Sequence, residues 1–400
     1  MKFLFVKHAL AWPRAAGHDV HGYYMMRALT EGGHAVVLAT VTAPANAALD
    51  GAGLKATYIL DEVDAAGDPI AATRMQERFR RYFGIETTRV TAVRNLARKL
   101  QADAVVAVGL EVLPYLSGVI GSWRVWYAAD EWLWHHVSQV KLSERRSWHH
   151  VTDGMIKGLY ERAYRGVVDV TWVVSEADRR AMQSIAGMRS VVVPNGVDTD
   201  FFQPQQVREV PNSAVFWGRL DFGPNVDALT WFSREIWTEL RRLQPDATFT
   251  IIGYEPSEQV LQLARQDGIA VKPNVLDLRL EACRHAVTVL PFVSGGGIKN
   301  KLLEAAALER PIVCSPTAAR GLSYGAAAPF VLASSRSEWI DIVRRLWADQ
   351  SSRNRLGQAA REWVKAYHSW AAAAETAVNS LGPHARKPHD AAHTQQGISS

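Results

Sequence analysis

The feature that most limits the fold is a series of short apolar runs, each followed by a stretch of helical period. The clearest are KFLFV (2–6), AVVLATV (35–41), ATYIL (56–60), AVVAV (104–108), VTWVV (170–174) and SVVV (190–193). A second series follows: AVFW (214–217), ATFTIIG (247–253), AVTVL (286–290), PIVC (311–314) and PFVL (329–332). Strands apolar at every position, not at alternate ones, belong to parallel sheets covered on both faces. Their alternation with helices gives the doubly wound α/β class. The pattern pauses at the turn-rich PNGVDTDFFQPQQ (194–206) and restarts near residue 211. Four hundred residues also exceed what one hydrophobic core usually organises. The expected division is a first Rossmann-like domain over 1–193, a linker over 194–210, a second Rossmann-like domain over 211–375 and a polar, disordered tail over 376–400.

Composition narrows the functional classes. The chain is 48% hydrophobic and 21% charged, ordinary for a globular protein. A net charge of +5, spread along the length, is too mild and diffuse for a nucleic-acid partner. Cys283 and Cys314 lack metal spacing, which suits a reduced, cytoplasmic chain. At the N-terminus, Lys7 and His8 break the apolar run, so the segment reads as a buried strand and not a leader. No stretch approaches the roughly 18 apolar residues that a membrane span needs. One local excess of charge stands out: residues 74–99 hold eight Lys or Arg against two Glu. Within it, TRMQERFRRYFG (73–84) sets Met75, Phe79, Tyr82 and Phe83 on one helical face beside a stripe of Arg74, Arg78 and Arg81. Such a helix packs on a sheet with a solvated basic side, or lies on an anionic membrane surface.

In open α/β sheets ligands bind beyond the carboxyl ends of the strands, so the loops after strands carry the chemistry. FVSGGGIKNKLLEA (292–305) places Gly295, Gly296 and Gly297 between a strand and a helix that opens with Lys299 and Lys301. Backbone N–H groups in such a loop converge on an anion, and the helix dipole adds to the attraction. Lysines in a first turn are disfavoured by that dipole, a cost an anion would offset. The bland alternative is a glycine turn with solvent-facing lysines. In FWGRLDFGPNVDAL (216–229), Arg219 follows a buried strand; it suits a phosphate, or pairs with Asp221 in a surface turn. In the first domain, the loop after the first strand carries Gly17, His18, Asp19 and His21, which face a ligand unless Asp19 is a helix N-cap. YAADEWLWHH (127–136) sets Asp130, Glu131, His135 and His136 among aromatics. The two adjacent histidines diverge by about 100° on a helix and make a poor metal pair.

Three stretches together, VVVPNGVDTDFF, FWGRLDFGPNVDALTWF and GGGIKNKLLEAAALERPIVCSPTAARGL, resemble the retaining GT-B glycosyltransferases of the glycosyltransferase 4 type. The likeness extends to a bacterial branch of sugar transferases linked to exopolysaccharide clusters, in which a G-I-x-N-K-x-L-E-A run also occurs. WVVSEADRRAM (172–182) and the loop at Asp130 fit the same branch. The resemblance spans roughly residues 1–375, specific in the second domain and weaker in the first.

It implies two Rossmann-like domains facing across a cleft, and transfer of a sugar from a nucleotide-sugar donor to a hydroxyl with retention. Arg219, Lys299, Lys301 and the amides of Gly295 to Gly297 would hold the donor diphosphate. Glu304 matches the second acid of the family's E-x7-E motif and would bind the ribose hydroxyls. The acceptor, a glycan, lipid-linked glycan or small molecule, would approach near Gly17 and Asp19. Asp130 and His18 are the candidate catalytic groups, since the leaving phosphate oxygen can itself take the acceptor proton. No metal or other cofactor is implied. The expected location is cytoplasmic, from the cysteines, with peripheral contact at the inner membrane face if the basic helix lies on a bilayer.

Two departures stand out. The first acid of E-x7-E falls at Gly296, and Asn225 stands where many relatives carry a lysine. Two other classes share the fold: a nucleotide-sugar epimerase, for which no set of proton-transfer acids is evident, and a degenerate nucleotide-binding partner subunit. The lack of G-x-G-x-x-G after the first strand argues against an ordinary dehydrogenase.

Overall fold

The computed structural model describes residues 1–10, 17–44, 49, 51–129, 149–294, 298–322, 324 and 328–382. The chain forms two units, one of Met1–Gly196 with Trp370–Ser400, the other of Val197–Ser369.

The first unit is built on seven strands: β1 Lys2–Lys7, β2 Ala35–Thr40, β3 Ala56–Ile59, β4 Ala104–Val108, β5 Trp123–Ala129, β6 Val170–Val173 and β7 Ser190–Val192. They pair in the order β3-β2-β1-β4-β5-β6-β7. Every pairing is parallel. The continuous apolar runs now have their reason. Leu4 and Val6 enter one core while Phe3 and Phe5 enter another on the opposite face. Burying a side chain of this size contributes about 1.5–3 kcal/mol.

The second unit repeats the plan with β8 Val210–Arg219, β9 Thr248–Tyr254, β10 Ile269–Pro273, β11 His285–Leu290, β12 Ile312–Cys314 and β13 Val331–Leu332. Their order is β10-β9-β8-β11-β12-β13, again parallel throughout. In each unit the order reverses beside the first strand, between β1 and β4 and between β8 and β11. These are the topological switch points where doubly wound sheets bind ligands.

Three expectations need correction. β5 and the edge strand β10 are both absent from the apolar runs given above, β10 because only Ile269 of its five residues is buried. The second domain does not run on to residue 375, nor does the tail begin at 376. The chain leaves the first unit after Gly196 and returns at Trp370. The helix Trp370–Asn379 buries Trp370, Ala373, Ala374 and Ala377 in the core that holds Phe3, Met25 and Trp172. Trp370 stacks on Tyr24 at 5.4 Å, and Trp172 Nε1 donates to Ser380 Oγ at 2.9 Å. Gly196 permits this closure, since a Cβ there would lie 2.6 Å from the Trp370 ring.

The third correction concerns the basic helix, Arg74–Tyr82. Its four apolar residues do not share a buried face. Phe79 and Phe83 pack on Tyr160 of the helix His149–Tyr164, at 5.2 and 4.8 Å, but Met75 and Tyr82 are exposed. Gln76 faces the same neighbour, donating to the Ala163 carbonyl at 2.9 Å, and Arg80 is buried.

Trp370→Ala is expected to lower the stability of the first unit by about 3–5 kcal/mol. Denaturant unfolding followed by near-ultraviolet circular dichroism checks this, and an unchanged midpoint would contradict the packing described.

Candidate functional site

Strand β8 ends in Phe216-Trp217-Gly218-Arg219, and its neighbour β9 places Gly253 directly opposite Gly218. The backbones meet so closely that a Cβ on Gly253 would lie 1.8 Å from the Gly218 carbonyl oxygen. Gly218 itself has φ +148°, outside the range comfortable for a side chain. A Cβ on it would lie 2.8 Å from Lys301 Nζ. The glycines therefore hold open the space that a lysine from another element fills.

That lysine comes from the helix Asn300–Ala307, which follows β11 across the switch point. Lys299 is its N-cap, and Lys301 and Glu304 lie one turn apart on one face. The Lys301 ammonium donates to Asn225 Oδ1 at 2.8 Å and stands 4.8 and 5.0 Å from the centres of the Phe216 and Phe292 rings. Ring faces attract a cation, so these contacts favour the charged form. Lys299 Nζ lies 5.3 Å from the Phe292 ring. Trp217 Nε1 donates to Glu304 Oε2 at 2.7 Å. Asn225 sits in the first turn of the helix Gly223–Phe232 and donates to the Arg219 carbonyl at 2.7 Å.

Burial dominates the electrostatics of this pair. It lowers Lys301 to about 7, against the attraction of Glu304 and together with Lys299. It also raises Glu304, against the Trp217 hydrogen bond and Lys301. Yet both residues keep part of their surface accessible. Charges in such enclosed surroundings are little screened by water.

Arg219 takes the arrangement read above as a surface turn. Its Nε and Nη2 donate to the Asp221 carboxylate at 2.6 and 2.9 Å, and Glu255 lies 3.5 Å away. Hydrogen bonds from Arg219 hold the Asp221 carboxyl below its usual range. Two of five guanidinium N–H groups are used by that fork, which fixes the plane and leaves the Nη1 edge to other acceptors. Ser294 Oγ donates to Asp227 at 3.3 Å, tying the start of the glycine loop to the helix after β8. Gly295, Gly296 and Gly297 lie outside the described residues.

In the first unit, Gly17 and His18 open the helix Gly17–Glu31, so Asp19 is its third residue and not its N-cap. The Asp19 carboxylate pairs with Lys7 at the end of β1, and both are buried. His21 is buried beside Tyr127, with Nδ1 and the phenol oxygen 3.4 Å apart. Asp130, Glu131, His135, His136 and the His18 side chain lie outside the described residues.

The structure thus brings Arg219, Lys299, Lys301 and Glu304 to one switch point and adds Trp217, Asn225, Phe216 and Phe292, which the sequence reading did not assign. One signal was available for Trp217. A buried indole N–H requires an acceptor, and Trp217 closes a buried strand.

Comparison with known proteins agrees with this architecture. Residues 211–349 match the family described as glycosyl transferases group 1. No curated protein matches the chain. Among solved structures, the sucrose-phosphate synthase of Thermosynechococcus elongatus superposes with a TM-score of 0.68 at 14% identity, over 95% of this chain and 98% of that one. TarM gives 0.68 at 10% identity, over 96% and 99%. Anabaena HepE, in complex with UDP and glucose, gives 0.63 at 13% identity, over 95% and 99%. The fold is GT-B, and the glycosyl transferases group 1 match over residues 211–349 supports a transferase enzyme.

Gly253→Ala is expected to cost about 3 kcal/mol or more, because backbone stands where the methyl must go. Gly223→Ala, with no atom within 4 Å of the new methyl, should change stability by less than ~0.5 kcal/mol. Equal effects in urea unfolding would contradict the close approach of β8 and β9.

Proposed function

We propose that this enzyme transfers a sugar from a nucleotide-sugar donor to a hydroxyl of a glycan, lipid-linked glycan or small molecule, with the anomeric configuration retained. The observation that carries the reading is the Lys301–Glu304 pair beside Arg219 at the switch point of the second unit. It joins cations for a diphosphate to a carboxylate for vicinal hydroxyls. Glu304 accepts from the ribose hydroxyls with oxygen capacity that Trp217 leaves over. Arg219, Lys299 and Lys301 bind the diphosphate. As the bond from the anomeric carbon to phosphate oxygen breaks and the bond to the acceptor oxygen forms, negative charge grows on the leaving group. Arg219 and Lys299, joined by Lys301 in its protonated form, stabilise that charge from fixed positions. The departing phosphate oxygen takes the acceptor proton. Asp130 and His18 are proposed near the reacting centre, and Gly17 and Asp19 on the acceptor side. No metal is assigned a role. The UDP complex of HepE supports the choice of UDP as first probe.

In calorimetry with UDP, Arg219→Ala combined with Glu304→Ala is expected to weaken binding about 100-fold or more, since each removes a charged hydrogen bond. Equal affinity in the double variant, or no affinity in the wild type for any nucleoside diphosphate, would overturn the donor site. Product analysis separates the neighbouring classes: an altered free nucleotide sugar indicates an epimerase, and binding without turnover a partner subunit.

For location, we propose peripheral contact with an anionic bilayer through the helix Arg74–Tyr82. Among the described residues, no helix is long and apolar enough to cross a membrane. Among the described residues, exposed Arg74, Arg78 and Arg81 have no carboxylate within ion-pair distance, whereas Arg27, Arg89 and Arg179 each do. Met75 and Tyr82 are 45% and 67% exposed beside them, and Met155 and Leu159 are exposed on the helix packed against it. Cations around accessible apolar side chains match a surface of anionic headgroups over acyl chains. Flotation with phosphatidylglycerol vesicles should recover the wild type and release a variant with Arg74, Arg78 and Arg81 changed to Glu. Identical recovery of both would remove the proposal.

A further inference from the structure

Asn225 reads in the sequence as a lysine lost. In the structure its side chain is 2% exposed and bonded at both ends. Nδ2 donates to the Arg219 carbonyl at 2.7 Å, and Oδ1 accepts from Lys301 Nζ at 2.8 Å. Only one amide orientation satisfies both partners, because the carbonyl needs a donor and the ammonium an acceptor. One side chain therefore ties the turn that carries Arg219 to a cation 76 residues further along the chain.

From this geometry we infer that Asn225 is a positioning residue, which holds the Lys301 ammonium against the Arg219 turn with a neutral acceptor and so leaves the lysine's charge for a diphosphate. The inference deepens the donor-site reading above and rests on it. A lysine at 225 would set a second ammonium against the first. An aspartate would neutralise it. The neutral amide does neither, and uses one of three ammonium N–H donors. Gly218 completes the arrangement, since a Cβ there would stand 2.8 Å from Nζ and 3.2 Å from Asn225 Nδ2.

The charged groups that act on Lys301 are Glu304, which favours the ammonium, and Lys299, which opposes it. The neighbours Asn225, Phe216 and Phe292 carry no net charge. Burial is the largest influence and brings the lysine to about 7. The sign of the linkage follows. A bound diphosphate favours the ammonium, so binding takes up a proton above pH ~7, and takes up none well below it, where the amine is already charged. A carboxylate at 225 would keep Lys301 charged before the ligand arrives, and the uptake would vanish.

The test follows the titration of Lys301 by competitive acetylation read by peptide mass spectrometry, in wild type, Asn225→Asp and Asn225→Ala. Proton uptake on UDP binding at pH 8 is measured by calorimetry in two buffers of different ionisation heat. The expected result is a midpoint more than one pH unit higher in Asn225→Asp, with uptake lost and UDP bound at least tenfold more weakly. An unchanged midpoint in both variants overturns the assignment of Asn225. A moved midpoint with no UDP binding to the wild type keeps the hold on Lys301 and overturns the nucleotide reading that gives it a purpose.

Discussion

The parallel pairing of β8 with β9 on one side and β11 on the other is the constraint on which the site depends. The strands beside β8 lead to segments that leave in opposite directions, so a gap opens beyond their carboxyl ends. Into that gap β8 delivers Trp217 and Arg219, and the helix after β11 delivers Lys301 and Glu304. Gly218 and Gly253 meet closely there. A side chain at either position would occupy the place of the ammonium or push β8 from β9. The arrangement is thus a property of the backbone first and of its charges second.

Those charges are costly to place. Burial works against the charged form of both Lys301 and Glu304. The protein compensates with directed neighbours: an amide oxygen and two ring faces for the cation, an indole N–H for the carboxylate. Groups held in this way do not reorganise when a ligand arrives, which is what stabilising a developing charge requires. Arg219 differs. It lies at the surface, its plane set by Asp221, and its interaction is more open to screening by salt.

How much of this was legible depended on the distance between partners along the chain. The apolar strands were plain, because a parallel sheet buries both faces and leaves continuous Val, Ile and Leu. The edge strand Ile269–Pro273 was not, since it has little to bury. The Arg219–Asp221 pair, two residues apart, was open to the eye, while the Trp217–Glu304 bond, spanning 87 residues, was not. Asn225 looked like an absence because its partner is set only by the switch point. The return of the helix at Trp370 was hidden for a similar reason. Its apolar face of Trp370, Ala373, Ala374 and Ala377 shows that it packs, but not that it packs on the first sheet. Asp19 was open to two readings, and the buried Lys7 beside it supplied a third.

The central claim is that the switch point of the second unit holds the nucleotide diphosphate. Hydrogen exchange read by mass spectrometry, with and without saturating UDP, tests it most directly because it reports location without requiring turnover. The account predicts slowed exchange in peptides covering residues 216–225 and 298–306, with little change across β1 to β4. Protection confined to the first unit, or uniform across both, would contradict it.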